Sequence, residues 1–79
     1  GNEVKRVGAA RKFISTHVAK LETLLQAETI DEAEVENERR QIAERMAFIA
    51  ETGGSFKPDF AQRIHALGVD IEPTTEGEQ

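Results

Sequence analysis

The stretch ETIDEAEVENERRQIAERM, residues 28–46, holds seven acidic side chains and three arginines. Paired carboxylates could act as general acid and base, or could bind a divalent cation. The spacing fits neither use, because it contains no Glu-x-x-His pair of a helical di-iron site and no glycine at the turn of a calcium loop. It does match the start of a helix, with Thr29 and Glu32, or Asp31 and Glu34, as a capping box. We therefore interpret the acidic stretch as the solvated side of a helix.

Other catalytic arrangements are also missing from the sequence. Ser15 and Ser55 lie outside any Gly-x-Ser-x-Gly elbow, cysteine is absent, and TGGSFK lacks the Gly-Lys-Ser/Thr order of a phosphate loop. His17 is predicted to pack, half-buried, on one flank of a helical hairpin, and His65 to lie at the edge of the packing. We therefore predict a protein that is not an enzyme, with no catalytic residue, metal site, cofactor or small-molecule substrate.

The length and composition limit the fold further. A chain of 79 residues makes one domain with a thin core, and such domains usually need a disulfide, a metal or a partner chain. Because cysteine is absent and there are only two histidines, a partner chain is the remaining choice. The absence of cysteine fits a cytosolic or nuclear protein and leaves secretion open. No segment approaches the roughly 20 apolar residues that cross a membrane. We predict a cytoplasmic protein that is part of a larger protein or assembly.

Two helices are predicted from apolar residues at alternating spacings of three and four, the a and d positions of a coiled coil. The first covers about residues 3–27, with Val4, Val7, Arg11, Ile14, Val18, Leu21 and Leu25 on its seam. The second starts near Asp31 and ends at Gly53, with Val35, Arg39, Ile42, Met46 and Ile49 on its seam. The short connection makes them an antiparallel hairpin. The two seam arginines are expected to extend their charged groups into water.

A short third helix is predicted from Phe56, Phe60, Ile64 and Leu67, with Pro58 in its first turn and Gly68 just after its end. We expect it to cover the flank that carries Phe13, His17 and Phe48, so that all four phenylalanines cluster. The predicted fold is all-α: an antiparallel two-helix, coiled-coil-like hairpin with a short third helix packed over its open end. This domain covers residues 1–69, and residues 70–79 are predicted to be a disordered acidic tail.

The charge pattern suggests the function. The net charge is +4 over residues 1–20, −6 over residues 21–52 and −3 over residues 53–79. We predict a non-catalytic module for protein–protein interaction, which pairs with itself as a homo-oligomer or joins a larger assembly. Small side chains form its candidate partner face: Gly8, Ser15, Ala43, Ala47 and Ala50.

The alternative is a small nucleic-acid-associated protein, because phosphate contacts need a basic patch. The candidate electrostatic patch consists of Lys5, Arg6, Arg11 and Lys12. The acidic middle and tail disfavour this reading, and membrane binding is not predicted. The plan of a basic lead-in, KLETLL, an acidic turn and ERM on the return helix looks like the hairpins in dimerisation segments of bacterial regulators. It also looks like the helical regions that begin some retrotransposon Gag polyproteins, and no family is assigned from it.

Overall fold

Three helices follow one another along the chain. The structure, a computed structural model, describes residues 2–69. Helix α1 spans Asn2–Leu25, α2 spans Glu32–Glu51 and α3 spans Pro58–Ala66. Helices α1 and α2 pack along each other as the predicted hairpin, so the all-α fold is confirmed. The predicted tail, residues 70–79, lies outside the described residues.

The helix ends follow the local signals in the sequence. Asp31 is the N-cap of α2, and its side-chain oxygen accepts a hydrogen bond from the backbone N–H of Glu34 at 3.2 Å. Of the two possible capping starts, the later one is therefore used. Gly53 and Gly68 have φ angles of 85° and 84°, values that glycine adopts without the steric cost of a Cβ atom. These two residues end α2 and α3 where the sequence predicts.

The core is a layer of aliphatic side chains between α1 and α2, joined by Ile64 of α3. Its fully buried members include Ile14, Val18, Leu21, Val35, Ile42, Ile49 and Ile64. Burying a side chain of this size contributes about 1.5–3 kcal/mol. The seam residues at the centre of the hairpin are therefore confirmed, whereas Val4, at the open end, is 73% exposed. Val69, just beyond α3, is buried in the same core.

The two seam arginines hold the two ends of the α3 segment. Arg11 donates from Nη2 to the Ser55 carbonyl at 3.0 Å, before α3 begins. Arg39 donates from Nε to the Leu67 carbonyl at 2.9 Å, where α3 ends. Arg11 is exposed, as the sequence predicts, whereas Arg39 is half-buried, so its charged group does not simply extend into water. Both arginines also satisfy a backbone carbonyl of the segment that packs against the hairpin.

Glycine leaves room for each of these arginines. A Cβ atom on Gly54 would lie 2.7 Å from Ile49 Cγ2 and 3.1 Å from Arg11 Nη2. A Cβ atom on Gly68 would lie 3.0 Å from Arg39 Nε. Each guanidinium can therefore approach the backbone because the residue below it has no side chain.

These contacts place α3 on one particular flank of the hairpin, which we call the covered flank: Arg11, Ser15, Glu22 and Arg39. Here Arg63 of α3 donates two hydrogen bonds to the Glu22 carboxylate, at 2.6 and 2.7 Å. The prediction that α3 covers the flank of Phe13, His17 and Phe48 is therefore wrong.

The predicted cluster of four phenylalanines is consequently also wrong. The rings form two separate groups, one on each flank. Phe56 and Phe60 lie with their ring centroids 6.0 Å apart beside the covered flank. Phe13 and Phe48 line a groove on the opposite flank. Helix α3 carries its own two phenylalanines to the side where Arg11 and Arg39 hold it.

Candidate interaction surface

The flank opposite α3 carries aromatic rings covered by arginines. We call it the aromatic flank: Arg6, Phe13 and His17 from α1, with Glu38, Arg45 and Phe48 from α2. The guanidinium carbon of Arg6 lies 5.1 Å from the centroid of the Phe48 ring, and that of Arg45 lies 3.9 Å from the Phe13 ring. Both distances are within the range of cation–π attraction. Each of these two pairs joins α1 to α2.

Phe13 is held between two flat groups. Its ring stacks on the His17 ring, with centroids 3.8 Å apart and an interplanar angle of 14°. The Arg45 guanidinium is equally close. Two groups cannot share one face of a ring at this distance, so they occupy opposite faces. Phe13 is therefore fixed in one orientation although it is only half-buried.

Beyond His17 lies a charged group in the core. Glu38 is 2% exposed, and its Oε1 accepts a hydrogen bond from His17 Nδ1 at 2.5 Å. Its other carboxylate oxygen lies 3.3 Å from Lys20 Nζ, which is also 3.4 Å from Glu34. A buried carboxylate is tolerated only when it is paired in this way. Both oxygens of Glu38 are thus engaged by side chains of α1.

The burial of Glu38 was not predicted from the sequence. Arg39 was assigned to the seam and Glu38 to the solvated side of the helix. At about 100° per residue, Glu38 lies about 40° from Ile42 around the helix, while Arg39 lies about 60° away on the other side. Position alone could therefore have suggested that Glu38 is closer to the core. His17 is half-buried on the aromatic flank as predicted, but its hydrogen bond was not foreseen.

Opposing effects act on the pKa of Glu38. Burial raises this pKa, whereas the hydrogen bonds from His17 and Lys20 lower it, and the net result lies below the ordinary value of 4.5. The same contacts, Glu38 first and Glu34 second, raise the pKa of Lys20. The carboxylate is therefore ionised in the folded protein at neutral pH, which makes His17 the donor in their hydrogen bond.

This pKa predicts how stability changes with pH. A carboxyl group whose pKa is lower in the folded chain adds stability that is fully present above its unfolded pKa and is lost as the pH falls through the folded value. We therefore expect Glu38 to contribute fully at neutral pH and to lose its contribution below about pH 4.5. Urea unfolding followed by circular dichroism at intervals from pH 7 to 3 measures this dependence.

Two variants separate Glu38 from the other acids. In Glu38→Gln, the stability should fall less steeply below pH 4.5 than in the parent chain. Glu51→Gln removes an exposed carboxylate from the same helix and should leave the parent slope unchanged. Equal slopes for Glu38→Gln and the parent would show that the contacts of Glu38 do not contribute to the acid sensitivity.

The structure places the residues of the predicted partner face in different environments. Ser15 lines a groove with Phe56 and Phe60 beside α3, and Ala43 is half-buried against the core. The other members, Gly8, Ala47 and Ala50, are exposed. The partner face therefore stays a prediction, and fewer of its residues are available to a partner than the sequence suggested.

The structure also separates the members of the predicted electrostatic patch. Arg6 lies over Phe48 on the aromatic flank, and Arg11 binds the Ser55 carbonyl on the covered flank. Lys5 and Lys12 are exposed and, seven residues apart, share a third side of α1. The four charges therefore do not form one contiguous surface. Two of them also have contacts within the chain.

Several other features of the described residues bear on function. His65 is exposed on α3, beyond the predicted edge of the packing. Within residues 2–69, no group of three His, Asp or Glu side chains is arranged to hold a metal ion. Each of the three helices is too short or too polar to cross a bilayer.

Comparison with known proteins matches no family model, no curated protein and no solved structure.

Proposed function

We propose that this chain is a non-catalytic protein-interaction module that associates with itself. The observation that carries the proposal is the aromatic flank, which α3 does not cover. Helix α3 packs on one side of the hairpin, and the other side keeps Phe13 and Phe48 only half-buried beneath Arg45 and Arg6. Aromatic residues and arginine are the types most enriched in protein interfaces.

The state of the His17–Glu38 pair supports a non-catalytic role. A histidine beside a carboxylate is a common acid–base arrangement in enzymes. Here both carboxylate oxygens have partners, and the side chain of Glu38 is 2% exposed. A substrate could not reach this carboxylate without opening the hairpin. The pair is better suited to holding α1 and α2 together.

The charge distribution supports a second copy as the partner. Helix α1 carries five basic and two acidic side chains, whereas α2 carries three basic and six acidic ones. Opposite charges on two faces of one molecule attract when two copies meet. A location in the cytoplasm, consistent with the cysteine-free composition, is part of the same proposal.

Sedimentation velocity of the full chain tests the proposal. We expect a mass above 8.8 kDa that rises with protein concentration. Ala9→Glu places a charge in the groove of the aromatic flank and should reduce the mass while the helical signal persists. Ala47→Glu places the same charge on the predicted partner face and identifies that face if it has the larger effect. A monomer at millimolar concentration would contradict self-association.

The nucleic-acid alternative has weaker support. Only Lys5 and Lys12 of the four predicted contacts share an exposed side of α1, and a cluster of two gives few phosphate contacts. Retention on a DNA column that falls with salt and is lost in Lys5→Glu/Lys12→Glu would favour it. Flow-through at low salt would exclude it.

A further inference from the structure

We propose that two copies pair about a two-fold axis through the aromatic flank, with Glu44 of each copy against Arg45 of the other. This inference rests on the proposed self-association and names the surface and the contact. It starts from the groove of the aromatic flank, which is lined by two arginines, two phenylalanines, two alanines and one glutamate: Arg6, Arg45, Phe13, Phe48, Ala9, Ala10 and Glu44.

Within residues 2–69, the guanidinium groups of Arg6 and Arg45 lie near aromatic rings and donate no hydrogen bond to another protein group. Their N–H donors are therefore open to other partners. Arg45 has one ionic partner within the described residues, the neighbouring Glu44 at 3.8 Å. Adjacent residues on a helix do not face each other, so this contact is long and weak. Both side chains are well exposed, at 37% for Arg45 and 63% for Glu44.

The groove carries both positive and negative side chains, and this mixture indicates which kind of partner would bind there. A purely acidic partner would meet Glu44 as a like charge, and a purely basic partner would meet Arg6 and Arg45. A second copy offers both signs in the same arrangement. A two-fold interface requires this property, since residue i contacts residue j and residue j contacts residue i. A half-turn about an axis that passes between residues 44 and 45 would bring each Glu44 toward the other copy's Arg45.

The apolar part of the groove suits the same pairing. Phe13 and Phe48 lie beside the small residue Ala9, so a second surface can approach closely. Phe13 is already held between His17 and Arg45, and little side-chain freedom remains to be lost on binding. Two copies would thus cover their aromatic rings and replace two weak intrachain ion pairs with two interchain ones.

Charge-reversal variants test this geometry. In Glu44→Arg, residue 44 would face Arg45 of the other copy, and in Arg45→Glu, residue 45 would face Glu44. Each variant alone should associate at least about 10-fold more weakly than the parent chain, because like charges meet across the axis. An equimolar mixture of the two should regain the parent affinity within a few-fold, because both contacts become attractive. Arg40→Glu, the same change at an exposed position of α2 outside the groove, is the matched control and should associate normally.

Sedimentation equilibrium of each variant, of the mixture and of the parent distinguishes the outcomes, with circular dichroism to verify that each variant is helical. Recovery in the mixture supports the pairing. A parent chain that associates while the mixture remains as weak as its components contradicts the pairing and leaves self-association intact. A parent chain that is monomeric and binds an acidic peptide or another protein through this groove contradicts both. If Arg45→Glu loses its helical signal, a mixture of Glu44→Arg with the parent chain replaces it as the test of the pairing. This mixture should associate more weakly than the parent chain alone.

Discussion

Replacing Ile42 by alanine is expected to lower the free energy of unfolding by about 2–5 kcal/mol. Ile42 is fully buried at the centre of the layer between α1 and α2. The substitution removes three buried carbon atoms and leaves a cavity that two packed helices can close only in part. A domain of 79 residues has a total stability of about 4–12 kcal/mol at the usual value per residue. The loss would therefore be a large share of that total.

Ile30→Ala is the matched control, because it deletes the same atoms from a residue in the α1–α2 connection that is 39% exposed. Its cost should stay within about 1 kcal/mol, since much of the side chain is already in water. Urea unfolding of the parent and the two variants measures the difference. Equal losses for Ile42→Ala and Ile30→Ala would mean that the seam does not form the core of the hairpin.

The hairpin could be predicted because its signals are local and repeat. The spacing of Ile14, Val18 and Leu21 fixes the buried side of α1, and Asp31 and Gly53 mark where α2 begins and ends. Each of these signals depends on a few neighbouring residues. Together they determine which sides of the two helices meet, because any other arrangement would expose the aliphatic seams to water.

The side taken by α3 could not be predicted in the same way. Residues on the two flanks lie at similar angles from the seam, and both flanks offer partly apolar surfaces. The aromatic residues suggested a position for α3 beside Phe13 and Phe48. In the structure, Arg11 and Arg39 of the other flank donate hydrogen bonds to backbone carbonyls at the two ends of the α3 segment. Hydropathy patterns contain no information about such contacts.

The polar contacts of the aromatic flank were missed for a related reason. Hydropathy assigns Glu38 and Lys20 to solvent, but the two helices bring them together around His17. Burial of Glu38 depends on partners that are 18 and 21 positions away in the sequence. The stack of His17, Phe13 and Arg45 likewise becomes visible only when the register of the hairpin is known.

Replacing each member of the buried hydrogen bond, His17 or Glu38, should lower the free energy of unfolding by a different amount. We expect His17→Leu to lower the free energy of unfolding by about 1–3 kcal/mol or more, because it leaves the Glu38 carboxylate buried without its shortest hydrogen bond. Glu38→Leu removes the buried charge itself. Its former partners, His17 and Lys20, have side chains that are 22% and 48% exposed and can bind water instead. This variant should therefore cost less, and an apolar replacement of a buried ion pair is often close to neutral.

The double variant tests this asymmetry. In His17→Leu/Glu38→Leu no buried carboxylate remains, so the double variant should be more stable than His17→Leu alone. His65→Leu, at an exposed site on α3, is the control for replacing a histidine and should change stability by less than about 0.5 kcal/mol. Urea unfolding at pH 7 gives all four differences. A Glu38→Leu variant that loses as much stability as His17→Leu, with no recovery in the double variant, would mean that the ionised pair stabilises the hairpin more than an apolar replacement does. The expected results would instead mean that the Glu38 carboxylate is tolerated in the core because His17 and Lys20 reach it. Its presence then fixes how α1 and α2 align along the aromatic flank.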